Sequence, residues 1–294
     1  MDLLKPPEPI TRRTLIVNGD DFGITAGVNA GILHAFREGI LTSASLMACG
    51  EAFEEAVSGA RGAPGLGIGV HLCLTEGKPV SPPNRVSSLL EEDGCFRGEV
   101  AAFLGPFFQG KIRLDEVERE VRAQISKVLD HGLRVEKLDS HMHLHMLPPI
   151  LDVVLRVGLA LGITAVRLPR ESPRFWGCRP TAWAKCLVLQ GLSSAQRAKV
   201  RRSGFRVSDH FLGLSSSGDV TEAKLLAWLQ ALPPGTTELM VHPGYEDVAL
   251  RDMPASYAYQ REREVAALTS SRVRALVEEA GIKLGTFDAL SLFP

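Results

Sequence analysis

The sequence predicts an α/β protein, a (β/α)7–8 barrel of parallel strands, closed or slightly irregular. Three observations predict it. Short apolar runs alternate with segments of helical periodicity along nearly the whole chain, and that order requires parallel strands joined by right-handed crossovers. Several of the runs stop on acids or histidines, as strands do on the face where such barrels keep their chemistry. Nothing resembling a linker, an internal repeat or a low-complexity stretch divides the 294 residues, and a hydrophobic fraction of 45% is enough for one large core. Residues 1–13, with Pro6, Pro7 and Pro9, are expected to form a flexible N-terminal tail, and residues 14–294 a single catalytic domain with an insertion at about 75–113.

The first strand is the run Leu15-Ile16-Val17-Asn18-Gly19-Asp20-Asp21-Phe22-Gly23, β-prone and apolar until it meets two adjacent carboxylates. Residues 25–39 follow as a helix, with Val28, Ile32, Leu33 and Phe36 at helical spacing and Gly39 as a stop. Residues 41–49 predict a second strand, 51–61 a short helix, and 66–74 a third strand containing His71. The insertion is extended around Lys78-Pro79-Val80-Ser81-Pro82-Pro83, and its long, weakly patterned course suits a substrate-binding excursion. Residues 114–131 make the clearest amphipathic helix, with Val117, Val121, Ile125 and Val128 inward and Glu116, Glu118, Glu120 and Lys127 outward. A strand at 135–140 leads into the histidine run His141, His143, His145, expected to leave the barrel as an extended segment. A helix through Leu161, a strand at 164–168 with Arg167 and Arg170 at its end, a basic helix at 181–202, and a strand at 205–214 continue the cycle. A helix at 221–232, a strand at 237–241 delivering His242, a helix at 257–281 and a closing strand at 282–287 complete it.

Composition narrows the partners. With 33 basic and 34 acidic residues the net charge is -1, so no global field attracts nucleic acid or an anionic membrane. No uninterrupted apolar stretch reaches the roughly 20 residues of a membrane span. The five cysteines are odd in number and show no CxxC pair, which fits a reducing, cytoplasmic setting. The expected partner is a small molecule, and a homo-oligomer is compatible with the sequence.

In a parallel barrel the strand ends converge, so Asp20, Asp21, His71, the histidine run and His242 should meet although far apart in sequence. Two imidazoles and one carboxylate with open positions form a recurring catalytic metal arrangement, and a second carboxylate beside it can act as base. Taken alone, Asp20 and Asp21 could instead form a turn and cap the next helix. One histidine of the run is expected as a ligand, and the others as groups contacting substrate or supporting a ligand. Asp139 can orient a ring by accepting its second N–H.

The segments Ile16-Val17-Asn18-Gly19-Asp20-Asp21-Phe22-Gly23, Gly39-Ile40-Leu41-Thr42-Ser43-Ala44-Ser45, Gly69-Val70-His71-Leu72 with Gly77-Lys78-Pro79, Leu138 through Met146, and Val241-His242-Pro243 together resemble the YdjC-like carbohydrate deacetylase family, which includes chitooligosaccharide deacetylase. The resemblance covers nearly the whole chain. It implies a (β/α) barrel and one divalent metal ion, magnesium as the family is usually described or zinc as imidazole ligands would favour. It implies Asp21, His71 and His141 as metal ligands, Asp20 as base and His242 as acid in removing N-acetyl groups from acetylated amino sugars of the chito-oligosaccharide kind. His143, His145, Arg167 and Arg170 are candidate substrate contacts. Met142 stands where family members often have histidine, and Gly19 where alanine is common. A hopanoid-associated branch, acting on an N-acetylglucosaminyl lipid, is similar in Gly19-Asp20-Asp21 and Val166-Arg167-Leu168-Pro169 and gives an alternative substrate. Another metal-dependent hydrolase such as a phosphoesterase, or a non-catalytic sugar-binding relative, are the remaining readings.

Overall fold

The structure, a computed structural model, describes residues 12–176, 180–251, 253 and 259–290, with the backbone alone at 180–182. Residues 1–11 of the expected tail, and the start of the helix expected at 257–281, lie outside the described residues. The central strand is β1 (Arg13–Phe22), whose Leu15, Ile16 and Val17 are fully buried. It is followed by α1 (Ala26–Glu38), β2 (Ser43–Leu46), α2 (Phe53–Arg61) and β3 (Gly67–Leu72). Thr25 caps α1 by accepting the N–H of Val28, which satisfies one of the orphan donors at a helix start. After the insertion come α3 (Val100–Phe108) within it, α4 (Leu114–Asp130), β4 (Val135–Ser140), α5 (Pro148–Ala160) and α6 (Pro180–Arg202). The chain ends with β5 (His210–Leu212), α7 (Glu222–Gln230), β6 (Gly235–Val241), α8 (Val248–Arg251), α9 (Arg261–Leu268), α10 (Ser271–Glu279) and β7 (Lys283–Leu284).

The strands run parallel in the order β4-β3-β2-β1-β6-β5. Thr14 and Leu15 pair with β7 as well as with β6, so β7 takes the lower part of the β1 edge that β2 takes from Asn18 onward. Between β4 and β5 the ring is completed by single bridges, Leu138 with Val166, Ala165 with Arg206 and Glu171 with Phe211. The strands expected at 164–168 and 205–214 are therefore shorter than their apolar patterns. Pro169, which has no N–H to donate, stands where a longer ladder would continue.

Helix α4 departs from expectation on one face. Val117, Val121, Ile125 and Val128 are inward, but Glu116 and Glu120 are fully buried as well. The insertion lies over them: Glu120 accepts the backbone N–H of Val80 and Ser81, each at 2.9 Å, and Glu116 that of Ser88 at 2.7 Å. An irregular segment folded onto the barrel must find acceptors for its own N–H groups, and this acidic ridge provides them. Opposite, α1 approaches the chain leaving β6 so closely that a Cβ on Gly31 would lie 2.4 Å from Gly244 Cα. That contact fixes the segment following His242. Among the described residues no helix is long and apolar enough to cross a membrane.

Candidate active site at the strand ends

Two adjacent residues of a regular strand face opposite ways, which would send one of Asp20 and Asp21 into the outer layer. Here β1 bulges. Its register against β2 shifts between Gly19 and Phe22, and Asp21 adopts φ 67, a left-handed conformation that Asp tolerates better than most residues. Both carboxylates are buried as a result, turned toward different partners. The histidine run is likewise a turn and not an extended segment. His141–Met146 forms 3-10 turns with Met142 at φ 56 and His143 at φ 58, so the chain reverses over the barrel mouth instead of leaving it.

Asp21, His71 and His141 each offer one ligand atom, all within 4.8 Å of one another, and all three residues are buried. Asp21 Oδ1 lies 3.6 Å from His71 Nε2 and 3.3 Å from His141 Nδ1. Each ring has a carboxylate on its far nitrogen: Asp139 Oδ1 is 2.8 Å from His71 Nδ1, and Glu76 Oε1 is 3.6 Å from His141 Nε2. The Asp139 hydrogen bond sets the His71 tautomer and aims its Nε2 at the cluster, whereas Glu76 stands beside His141 as a nearby negative charge. The second oxygen of Asp21 accepts from Arg261 at 2.7 Å. A second set, Asp20, His71 and Asp139, also passes the distance test. Its two carboxylates, however, are engaged by cations. Arg167 donates to both oxygens of Asp20, at 2.6 and 2.7 Å, and approaches Asp139 Oδ2 at 3.0 Å, while Lys137 donates to Asp139.

These contacts belong to one buried charge network. Asp20, Asp139 and Glu238 face Arg167 and Lys137, with Glu238 accepting from Arg167 Nε at 2.6 Å and lying 3.7 Å from Lys137 Nζ. Ser45 ties it together, accepting from Lys137 and Asn18 and donating to Asp139. Burial alone would raise the Asp20 carboxyl, but the Arg167 guanidinium and His71 outweigh it and hold the group below its ordinary value. Burial would likewise raise Asp21, yet Arg261 and the two histidines His141 and His242 hold it well below. Burial would lower the His141 ring, and the carboxylates of Asp21 and Glu76 overcome that and push it up to about 10.

His242 stands at the end of β6. Its N–H donates to Glu264 at 2.5 Å and its ring lies against Tyr259, centroids 4.5 Å apart. Burial pushes this imidazole down to about 4, against the pull of Asp21 and Asp20, so it does not carry its charge near neutrality as its bare type suggests. His143 lines the same pocket as Asp20, His71, His141 and His242. The other candidate substrate contacts lie elsewhere. His145 is fully buried and packed into the turn, its ring nitrogens at 2.7 Å from Ser140 Oγ and 3.0 Å from the Arg167 carbonyl. Arg167 is fully buried in the charge network, with its guanidinium engaged by carboxylates. Arg170 is exposed and lines a separate depression with Arg174 and His210. Sequence reasoning missed Glu76, Lys137, Glu238, Arg261 and Glu264. For two of them the signal was present, since Lys137 and Glu238 are charges at inward positions of strands that the alternation with helices buries.

A cation suits the Asp21, His71 and His141 group on two counts. Asp21 Oδ1 is buried and accepts no hydrogen bond among the described residues, although two ring nitrogens point toward it. In addition, His141 retains a proton to about 10 between two carboxylates, which marks surplus negative charge that a cation would balance in the proton's stead. The pocket above the group is small, about 10 Å³, room for about one water or ion.

Fold and site together define a class: a parallel α/β barrel whose strand ends hold a buried carboxylate–histidine cluster able to take a metal ion. The chain belongs to the YdjC-like family, whose model, described as YdjC-like protein, matches residues 14–279. A carbohydrate deacetylase of Brevibacillus brevis is 36% identical over 282 residues, covering 94% of this chain and 99% of its own length. A chitooligosaccharide deacetylase of Salmonella paratyphi B is 34% identical over 284 residues, covering 94% and 98%. Among solved structures, a protein described as a cellobiose-phosphate cleavage protein from Enterococcus faecalis superposes with a TM-score of 0.77 at 28% identity, over 95% of this chain and 99% of that one. A lactam utilization protein from Thermus thermophilus shares the fold at 14% identity and a TM-score of 0.53, over 93% and 99%.

Proposed function

We propose that this protein is a metal-dependent hydrolase that removes the N-acetyl group from an acetylated amino sugar, with a chito-oligosaccharide as the substrate. The observation that carries the reading is the Asp21, His71 and His141 cluster with Asp20 held beside it by Arg167. The deacetylase relatives point that chemistry toward an acetyl group on a sugar.

Asp21, His71 and His141 would hold a divalent ion, and two imidazoles with one carboxylate favour zinc or another transition metal over magnesium. Such an ion supplies Lewis-acid polarisation of the acetyl carbonyl and makes an attacking water easier to deprotonate. Asp20 is the base: ionised, its Oδ1 fixed by donors from Arg167, Asn18 and Ser45, and its Oδ2, which accepts only from Arg167, left with a lone pair for the water proton. His242 serves the departing nitrogen. Because burial keeps its ring neutral at rest, it would pass to that nitrogen the proton that Asp20 takes from the water, and the nearby carboxylates of Asp21 and Asp20 favour its protonated form in between. His143, on the pocket wall, is placed to meet the substrate.

The test is acetate release from di-N-acetylchitobiose, with an N-acetylglucosaminyl lipid and an aryl phosphate as parallel arms. Acetate from the saccharide, abolished by chelation and restored by added metal, is the expected result. Turnover of the lipid alone or of the phosphate alone would replace the substrate, and turnover of none would remove the reading.

A further inference from the structure

The depression that holds Arg170 has a volume of about 390 Å³, within the roughly 300–1,000 Å³ of small-molecule sites, and shares no lining residue with the pocket over the cluster. It is lined by Arg170 and Arg174 from the segment after Arg167, by His210 and Phe211 of β5, and by Gln190 of α6. Its cations lack counter-charges. Among the described residues no acid lies within ion-pair distance of Arg170 or Arg174, and Arg174 rests on Phe175, its guanidinium 4.5 Å from the ring centroid. The acids next to these residues in sequence are turned to other tasks. Glu171 accepts the N–H groups of Gly213, Leu214 and Ser215, and Asp209 accepts that of Thr236.

The positive charge here is crowded. Burial, then Arg201 and Arg170, hold the Arg197 guanidinium below its ordinary value, with Asp209 reaching it only at 3.9 Å. Burial, with Arg170 and Arg174, likewise outweighs the Pro234 carbonyl and Asp209 and holds the His210 ring low. Cations that depress one another in this way create a field that an anion relieves. The donors also suit a particular anion. A guanidinium presents a planar fork that matches phosphate oxygens. The His210 Nε2–H donates to the Pro234 carbonyl at 3.1 Å, so Nδ1 is the nitrogen that would gain a proton beside an anion. Gln190 adds a demand of another kind: its Oε1 is buried and has no hydrogen-bond partner, and a hydroxyl on the bound molecule would satisfy it.

We propose that this depression is a second ligand site, which takes a phosphate monoester bearing a hydroxyl, with the phosphate on Arg170 and Arg174 and the hydroxyl on Gln190. The site stands apart from the barrel mouth, so it goes beyond the deacetylase reading and its test needs no turnover. Binding to the full chain is measured by calorimetry and by Tm, with glycerol 3-phosphate, inorganic phosphate and chloride compared at equal ionic strength. The unaltered protein is set beside Arg170→Gln, Arg174→Gln, Gln190→Ala and, as an exposed control at the end of α1, Arg37→Gln. Expected is saturable binding of both phosphates and not of chloride, weakened about tenfold or more in each of Arg170→Gln and Arg174→Gln and unchanged in Arg37→Gln. Gln190→Ala should remove the preference for glycerol 3-phosphate over inorganic phosphate. Followed by NMR, the His210 ring should keep its proton to higher pH in the complex. Neither lining arginine has an acid partner to lose, so both variants should hold the Tm of the unaltered chain in the absence of ligand. A rise in Tm that chloride reproduces is an effect of ionic strength and overturns the site. Binding that survives both arginine variants but disappears in His141→Ala or on chelation places the phosphate at the barrel mouth, and overturns it as well.

Discussion

Replacing Asp20 with Asn separates the two adjacent acids. The amide keeps the size of the carboxylate but loses its charge, and its NH2 meets the Arg167 donors that Asp20 accepted at 2.6 and 2.7 Å. Removing one partner of a buried charge pair costs about 3–5 kcal/mol when the other is left stranded. Arg167 is not stranded, because Glu238 at 2.6 Å and Asp139 at 3.0 Å remain. The loss should therefore fall lower, near 2–3 kcal/mol, seen as a Tm lowered by roughly 4–10 °C. The protein still folds, and metal content measured by elemental analysis should stay at the level of the unaltered chain. Activity should drop about 10²–10⁴-fold in kcat with KM nearly unchanged, the scale of a lost general base. Asp21→Asn, in contrast, should lose metal and activity together, since the histidines alone make an incomplete site. The reasoning is refuted if Asp20→Asn and Asp139→Asn shed metal while Asp21→Asn and His141→Ala retain it. That pattern would place the ion in the Asp20, His71 and Asp139 set instead.

Other consequences follow from the same contacts. Stripping the metal with a chelator should abolish acetate release and lower Tm, and returning zinc at about 100 times its Kd should restore roughly 2.7 kcal/mol by calorimetry; an unchanged Tm would argue against a site in the folded chain. Burial pushes Glu264 from 4.5 up to about 7 against the N–H groups of His242 and Val220. Between about pH 4.5 and 7 the folded state then holds a proton that the unfolded state has released, so stability falls as pH rises through this window. Glu264→Gln should flatten that decline by up to about 1.4 kcal/mol per pH unit in denaturation at several pH values, and an unaltered slope would show that Glu264 does not titrate there. Gly31→Ala would place a Cβ 2.4 Å from Gly244 Cα and should cost about 1–3 kcal/mol, with kcat falling as the segment after His242 shifts; normal stability and rate would mean the two backbones are not held together.

The barrel and the meeting of Asp20, Asp21, His71, His141 and His242 were legible because both follow from topology. Parallel strands bring their ends to one face whatever their spacing in the chain, and alternation of strand and helix is a local pattern. What stayed hidden depends on backbone dihedrals and on distant partners. The adjacent acids and the histidine run read as regular extended chain, yet each contains residues with positive φ, at Asp21 and at Met142 and His143. No periodicity shows such a break. Arg167 is the sharper case: an arginine at a strand end facing a sugar site invites a role in binding hydroxyls, and only the fold reveals three carboxylates waiting inside the barrel to claim it. The better question at that position concerned Lys137, Asp139 and Glu238, charged residues set in strands that the fold buries. Such charges need counter-charges nearby. Arg167 and Lys137 are therefore as much a part of the site as the residues they hold, since without them Asp20 and Asp139 could not stay ionised in a buried barrel mouth.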